Sequence, residues 1–286
     1  MTPITSPNNP KLRQLRKLAR SRERERTGLF VAEGEDLVLA AHAAGREPVF
    51  GFCAPGVELG ASSVGADAGI PGFEEIAPEL LADVSTLGSG TRAIGVYEQK
   101  NIVFKAPLWT SKAPLCVYLH AVKDPGNIGT VLRSAQAFGA AVALGPGCAD
   151  PHSPKAVRAS MGAIFAVPLG HVTAIDELPG ERMALVAHAG ESLPRLAETL
   201  ISVSTGDGAA PVTLLVGAER EGLPQEVLDD CDHVAHIPIA SESLNAAMAA
   251  TVALYEMTTQ ISGLTDRGAR LASLRSAAPP SRVPAT

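Results

Sequence analysis

The chain has 286 residues, 46% of them hydrophobic and 19% charged, with a formal net charge of −6. That length accommodates one large or two modest domains. No apolar run is long enough to cross a bilayer as a helix, and the opening MTPITSPNNPKLRQLRKLARSRERER lacks the apolar core of a secretory signal, so neither a membrane protein nor a secreted one is expected.

The charge is unevenly placed. Residues 1–26 carry eight Lys/Arg against Glu23 and Glu25, a net of +6, which leaves −12 on the remainder. This segment reads as a basic N-terminal arm offering Lys11, Arg13, Arg16, Lys17 and Arg20 to phosphate, or equally as a solvated amphipathic helix with Leu12, Leu15 and Leu18 as its apolar stripe. Over 27–104 the pattern is short and alternating: strand or turn at GLFVAEG, a helix from about Glu35 to Ala44, a strand near Val49–Cys53, and further short elements up to GTRAIGVYEQK at 90–100. The segment KAPLWTSKAP (105–114), with two prolines among Ser, Thr and Lys, reads as a linker.

From Leu115 apolar runs alternate with helical stretches. Strands are expected at 115–122, 140–145, 183–189, 211–218 and 233–239, each resembling a strand buried on both faces. Between them lie the helices NIGTVLRSAQAFG, SPKAVRASMGA and LPQEVLDDCD, then a long helix over 243–260. The expectation is an α/β domain over 115–262 on a mostly parallel sheet, followed by a disordered tail at 263–286. The four cysteines (Cys53, Cys116, Cys148, Cys231) have no paired spacing, so neither zinc nor a disulfide framework is expected, and a reducing cytoplasm is the simplest setting.

Ligands of open α/β sheets sit beyond the carboxyl ends of the strands, and three such ends depart from packing logic. The first is followed by KDPGNIGTVLRSAQAFG, with Asn127 and Arg133; the fourth by GAEREG, where Gly217 and Gly222 frame Glu219; the fifth by SESLN, with Ser243 and Asn245. Taken singly each has a plain structural reading: glycines turn chains, Arg133 snorkels over apolar neighbours, Asn127 caps a helix. Their coincidence at one edge of one sheet argues for a site. Other motifs fail. GPGCAD lacks the third glycine of a dinucleotide fingerprint, no Gly-x-x-x-x-Gly-Lys-Ser/Thr loop exists, His233 and His236 fall on opposite faces of a strand, and Ser134, His120 and Asp124 lack a nucleophile elbow.

Taken together, Asp124-Pro125-Gly126-Asn127-Ile128-Gly129 with Arg133-Ser134-Ala135-Gln136-Ala137-Phe138-Gly139, then Val216-Gly217-Ala218-Glu219-Arg220-Glu221-Gly222-Leu223, then Ile237-Pro238-Ile239 with Ser243-Leu244-Asn245, resemble the motifs of the SpoU/TrmH ribose methyltransferases of the SPOUT superfamily. More weakly, FVAEGEDLVLAA and GTRAIGVYE resemble the ends of that family's small L30e-like α/β substrate-binding domain, here 27–104. The resemblance implies a C-terminal trefoil knot, a homodimer with sites at its interface, and S-adenosylmethionine as methyl donor. It implies cofactor contacts at Leu215, Val216, Gly217, Gly222, Ile237, Leu244 and Asn245, and a catalytic ring of Asn127, Arg133, Glu219, Ser243 and Asn245. The expected substrate is RNA, ribosomal rather than transfer, methylated on a ribose 2′-hydroxyl; the alternative is a catalytically silent relative that binds RNA in ribosome assembly. Guanidinium keeps its proton, so Arg133 is read as a phosphate anchor rather than a base, and Asn245 as a reactant-facing residue rather than a cap. Ala246-Ala247 replace a common Val-Ser, and the 240–242 loop is short, with Ala240 where glycine is frequent.

Overall fold

The computed structural model describes residues 3–59, 70–86, 90–104, 115–203 and 211–276, side chains excepted at 201–203 and 262–276. Helix α1 (Pro10–Lys17) starts where Asn9 precedes Pro10: the asparagine oxygen accepts the Lys11 N–H at 2.8 Å, and proline occupies a position that needs no donor. Its leucine stripe is not solvated. Leu12, Leu15 and Leu18 are buried against Phe50, Phe52, Ile76, Leu81 and Val84. Each buried leucine contributes about 2 kcal/mol, so three on one face hold the helix down. With α2 (Ser21–Thr27), α1 belongs to the body of the first domain and is no free arm.

Strand β1 (Leu29–Glu33), α3 (Glu35–Ala43), β2 (Phe50–Cys53), β3 (Phe73–Glu75), α4 (Pro78–Val84) and β4 (Ala93–Glu98) follow. The four strands form a sheet of order β1-β4-β2-β3, in which β4 runs antiparallel to β1 and β2 while β2 and β3 are parallel. The expected linker, 105–114, lies outside the described residues.

The second half comprises β5 (Leu115–Leu119), α5 (Pro125–Phe138), β6 (Ala141–Leu144), α6 (Pro154–Ala159), α7 (Ala163–Ala166), β7 (Leu169–His171), β8 (Glu181–Leu185), β9 (Glu191–Ser192), α8 (Leu193–Val203), β10 (Val212–Val216), α9 (Gln225–Asp229), β11 (His233–His236) and α10 (Ala246–Ser276). Its sheet, of order β7-β6-β5-β10-β8-β11-β9, is parallel at every described pairing. All five expected strands are present, with shifted ends. The strand placed at 183–189 lies at Glu181–Leu185, in register with Val212–Leu215 of β10. Those placed at 115–122 and 233–239 stop at Leu119 and His236; past the first, Ala121 turns the chain with a φ of +53°. Helix α8, absent from the sequence reading, begins Leu193-Pro194, and a proline in a helix's first turn removes no hydrogen bond.

Helix α10 begins at Ala246 rather than at 243 and runs through 263–276, residues assigned above to a tail. Leu264, Ala269, Leu271 and Leu274 lie in that stretch and favour a helix. The rest of the tail, 277–286, lies outside the described residues. No helix among the described residues is long and apolar enough to cross a membrane.

Strands β5 and β10 are buried throughout. Leu115, Val117 and Leu119 face one hydrophobic cluster with α5 and α10, whereas Cys116 and Tyr118 face another with Leu223 and Val227. The first cluster also takes in Phe30, Ala32, Leu37, Ala41 and Tyr97 from the first domain, so one core crosses the domain seam. From β5 the chain proceeds to β6 on one side of the sheet, and from β10 it proceeds through α9 to β11 on the other. Neighbouring strands whose connections diverge leave a crevice at their carboxyl ends, the usual ligand position in such sheets.

Candidate active site

Helix α5 presents the first motif. Asp124 is its N-cap, accepting the Gly126 N–H at 2.8 Å, so Asn127 is not the cap but stands in the first turn with its side chain available. Lys155 of α6 donates to the same Asp124 carboxylate at 2.7 Å, and this bond, with the one from the Gly126 N–H, holds the carboxyl below its ordinary range. Helix α6 approaches so closely because α5 carries Gly129 at the crossing; a Cβ there would overlap the Ala156 carbonyl oxygen and the Ala159 methyl.

The second motif is a tight loop. The Gly222 N–H returns to the Ala218 carbonyl at 2.9 Å, with Gly222 at a φ of +68°, a conformation that favours glycine. A Cβ at Gly217 would strike the Gly222 backbone, so both glycines are needed to close the loop. The closed loop holds Glu219 at the mouth of the crevice, where the Asn127 side-chain nitrogen donates to Glu219 Oε1.

The third motif completes the set and requires a correction. Asn245, read above as no cap, is the N-cap of α10: its Oδ1 accepts from the Ala247 and Met248 N–H groups at 3.0 and 3.3 Å. Its other end is directed at the site, Nδ2 donating to Asn127 Oδ1 at 3.1 Å. Asn245, Asn127 and Glu219, 118 and 92 residues apart in their two pairings, thus form one hydrogen-bonded chain.

Beside this chain lies a cavity of about 300 Å³, walled by Val216, Gly217, Gly222, Ile237, Ser243 and Leu244 together with Glu219 and Ile239. Of the residues expected at a cofactor, Leu215 is fully buried behind the wall, and Asn245 is not on the wall itself but stands between Leu244 and Ala246, which are. A fourth strand end was missed: Leu185, the last residue of β8, and Val186 and Ala187 just past it form part of the wall. The rule that ligands sit at carboxyl strand ends points to them, but they carry no polar side chain to attract notice. Alanines at 246 and 247 are buried, so their place is in the packing of α10.

Arg133 does not join its own Asn127. On α5, Gly126, Gly129 and Arg133 share the stripe toward α6, whereas Asn127 and Ser134 share the stripe toward α10, where Ser134 and Thr251 hydrogen-bond at 2.6 Å. Arg133 is exposed and has no ion-pair partner among the described residues. Of the proposed phosphate contacts, Lys11 pairs with Glu74 and Arg16 with Asp83 at 2.6 Å, whereas Arg13, Lys17 and Arg20 are exposed and unpaired among the described residues.

Residues 114–255 match the model of the SpoU rRNA Methylase family, and residues 9–90 match that of an MRM3-like substrate binding domain, which spans α1 and α2. An uncharacterized tRNA/rRNA methyltransferase of Synechocystis is 30% identical over 266 residues, covering 88% of this chain and 92% of that protein. The 23S rRNA (guanosine(2553)-2′-O)-methyltransferase RlmP of Bacillus subtilis is 29% identical, covering 90% and 99%. Among solved structures, the AdoMet-bound rRNA methyltransferase of Sinorhizobium meliloti superposes with a TM-score of 0.73 at 29% identity, over 91% of this chain and 98% of that one.

Proposed function

Because the chain belongs to the SpoU rRNA methylase family, we propose that it is an S-adenosylmethionine-dependent methyltransferase acting on a ribose 2′-hydroxyl of ribosomal RNA. The observation that carries this reading is the cavity walled by the carboxyl ends of β8, β10 and β11, with Glu219 on its wall bonded to Asn127 and through it to Asn245. The cavity suits the methyl donor: Leu185, Ile237, Ile239 and Leu244 offer apolar walls, while loop backbone around Gly217 and Gly222 supplies the polar contacts, the usual make-up of a small-molecule site. Val216, Gly217, Gly222, Ile237 and Leu244 would hold it, with Leu215 supporting from behind. When bound it supplies a methyl on a positively charged sulfur.

The chain's own residues position the RNA. Glu219 fixes the Asn127 amide, and Asn245 fixes the same amide from the other side, so Asn127 presents a single orientation to the target hydroxyl. Ser243, exposed on the cavity wall, is the further polar group of this ring. Orienting reactants can supply about 7–11 kcal/mol of a barrier. Arg133 is the phosphate anchor and, being remote from its own Asn127, serves the site of a second copy. The surface for that homodimer is the exposed stripe Met248, Val252 and Tyr255 on α10, continued by Phe138 of α5, whose ring lies 6.3 Å from that of Tyr255. The trefoil knot belongs to this reading too: the 217–223 and 237–244 loops wall one cavity before α10 packs on β10 and α5. So does the division of labour, residues 9–104 selecting RNA and 115–262 carrying the chemistry, and so does a cytoplasmic setting, to which four free cysteines are suited.

The test is incubation of the purified protein with methyl-labelled S-adenosylmethionine and unmodified rRNA, followed by mapping of 2′-O-methyl positions in RNA from cells with and without the protein. Labelled ribose and a missing cellular methyl are expected. RNA binding without cofactor binding would instead identify the silent relative. Mixing inactive Arg133→Ala and Asn127→Ala proteins tests the shared site: activity returns if each copy completes the other.

A further inference from the structure

The seam between the two domains carries two depressions, and Arg158 of α6 lines both. The first is also lined by Arg16 and Ala19, at the junction of α1 and α2, and by Glu33, Thr86 and Val157. The second carries Glu35 and Asp36 beside Arg92, and Arg92 is occupied by Glu35 at 3.4 Å. The second side thus balances two carboxylates against two arginines, whereas the first is lined by Arg16 and Arg158 against Glu33 alone. There Arg16 is paired with Asp83, and the Glu33 carboxylate accepts hydrogen bonds from Ser85, the Thr86 N–H and hydroxyl, and Thr91, which keep it engaged. Of the lining arginines Arg158 is uncommitted, and next in sequence to the lining residue Ala19 stands Arg20. Both are exposed without an ion-pair partner among the described residues.

Arg158 also leads to the reacting centre. One turn before it on α6, at i−3 and so on the same face, Lys155 is bonded to Asp124, the cap that sets the first turn of α5, and three residues beyond that cap is Asn127. Arg20, Arg158 and the Lys155–Asp124 corner thus mark a path from the basic helices of the first domain, over the seam, to the catalytic asparagine.

We infer that Arg20 and Arg158 bind successive stretches of one RNA sugar-phosphate backbone across the domain seam, so that the strand gripped by the first domain is delivered to Asn127. This rests on the methyltransferase reading and adds a binding track to it. The experiment uses the full-length protein and an unmodified 23S rRNA transcript, with affinity measured over a salt series for wild type, Arg20→Ala, Arg158→Ala, the double variant, and Arg195→Ala. Arg195 is exposed on α8, which follows β9 at the opposite edge of the sheet from β6 and β7, so it reports the effect of lost charge alone. Each track variant is expected to lower the salt slope by about one, the double variant by about two, with melting temperature and S-adenosylmethionine affinity unchanged and Arg195→Ala like wild type. Track variants with the wild-type slope, or a slope equally lowered by Arg195→Ala, would overturn the track. That outcome is separable from failure of the enzymatic reading, which is judged by methyl incorporation in the wild type alone.

Discussion

Asn245 shows how one side chain can be asked to do two things. Its oxygen is committed to the first turn of α10 and its nitrogen to Asn127, so the two roles separate by chemistry. Asn245→Asp keeps the acceptor and removes the donor; Asn245→Ala removes both. The aspartate variant is expected to melt like wild type yet lose methyl transfer on the order of a hundredfold, the scale of a misplaced reacting group. The alanine variant should lose the same activity and also about 1 kcal/mol of stability. Equal melting of both variants, measured by urea denaturation, would show that the cap contributes nothing. Sequence reading posed cap and site as exclusive because position in a helix's first turn reveals the acceptor but not where the other end of an amide points. The same limit applies to Arg133. Its motif singles it out, while helical phase, six residues from Asn127, puts it on another stripe.

At the level of elements, the strand ends were legible because a parallel sheet leaves little choice. Apolar runs at β5 and β10 had to be buried strands, while β11, read the same way, is buried only at Ala235; small or polar residues just past the three had to sit at one edge. What escaped were elements defined by contact rather than pattern: α8 behind its early proline, the short edge strands β7 and β9, and the α1 stripe, whose burial depends on Phe50, Ile76 and Leu81 arriving from distant positions. The 217–222 loop gives the corresponding prediction. A methyl at Gly217 collides with the backbone of Gly222 and Leu223 rather than with a side chain that can move aside, so Gly217→Ala must deform the loop that walls the cavity. Strain of this kind costs about 1–3 kcal/mol. Affinity for S-adenosylmethionine by calorimetry is expected to fall about tenfold or more, while the parallel sheet, and so the far-ultraviolet circular dichroism, is retained. Unchanged affinity would place the cofactor elsewhere.

For the molecule as a whole, the two domains are joined by a seam that contains charge as well as apolar surface. Arg24 is buried, donating to Asp150 at 2.8 Å and to the Leu18 and Ala19 carbonyls at 2.8 and 3.0 Å, so α2 is tied to the loop after β6. Beside it His152 is 4% exposed, its ring 4.8 Å from Phe30 of the first domain. Burial pushes the His152 pKa down to about 4; Asp150 opposes the shift, while His171, Arg24 and Arg46 add to it. In the unfolded chain the same group titrates near the ordinary value of about 6.5. The folded state therefore binds the proton less readily than the unfolded one. The resulting stability is fully present above about pH 6.5 and is lost as pH falls toward 4, to a total of about 3 kcal/mol. His171, also lowered by burial, contributes in the same direction. His152→Leu leaves the Asp150 carboxylate to Arg24 and removes the titrating ring. Urea midpoints across that window should fall less steeply with acid in the variant than in wild type, by up to about 1.4 kcal/mol per pH unit, the slope of one proton. If both proteins lose stability in parallel, His152 takes up its proton without opening the seam, and the acid sensitivity belongs to other groups.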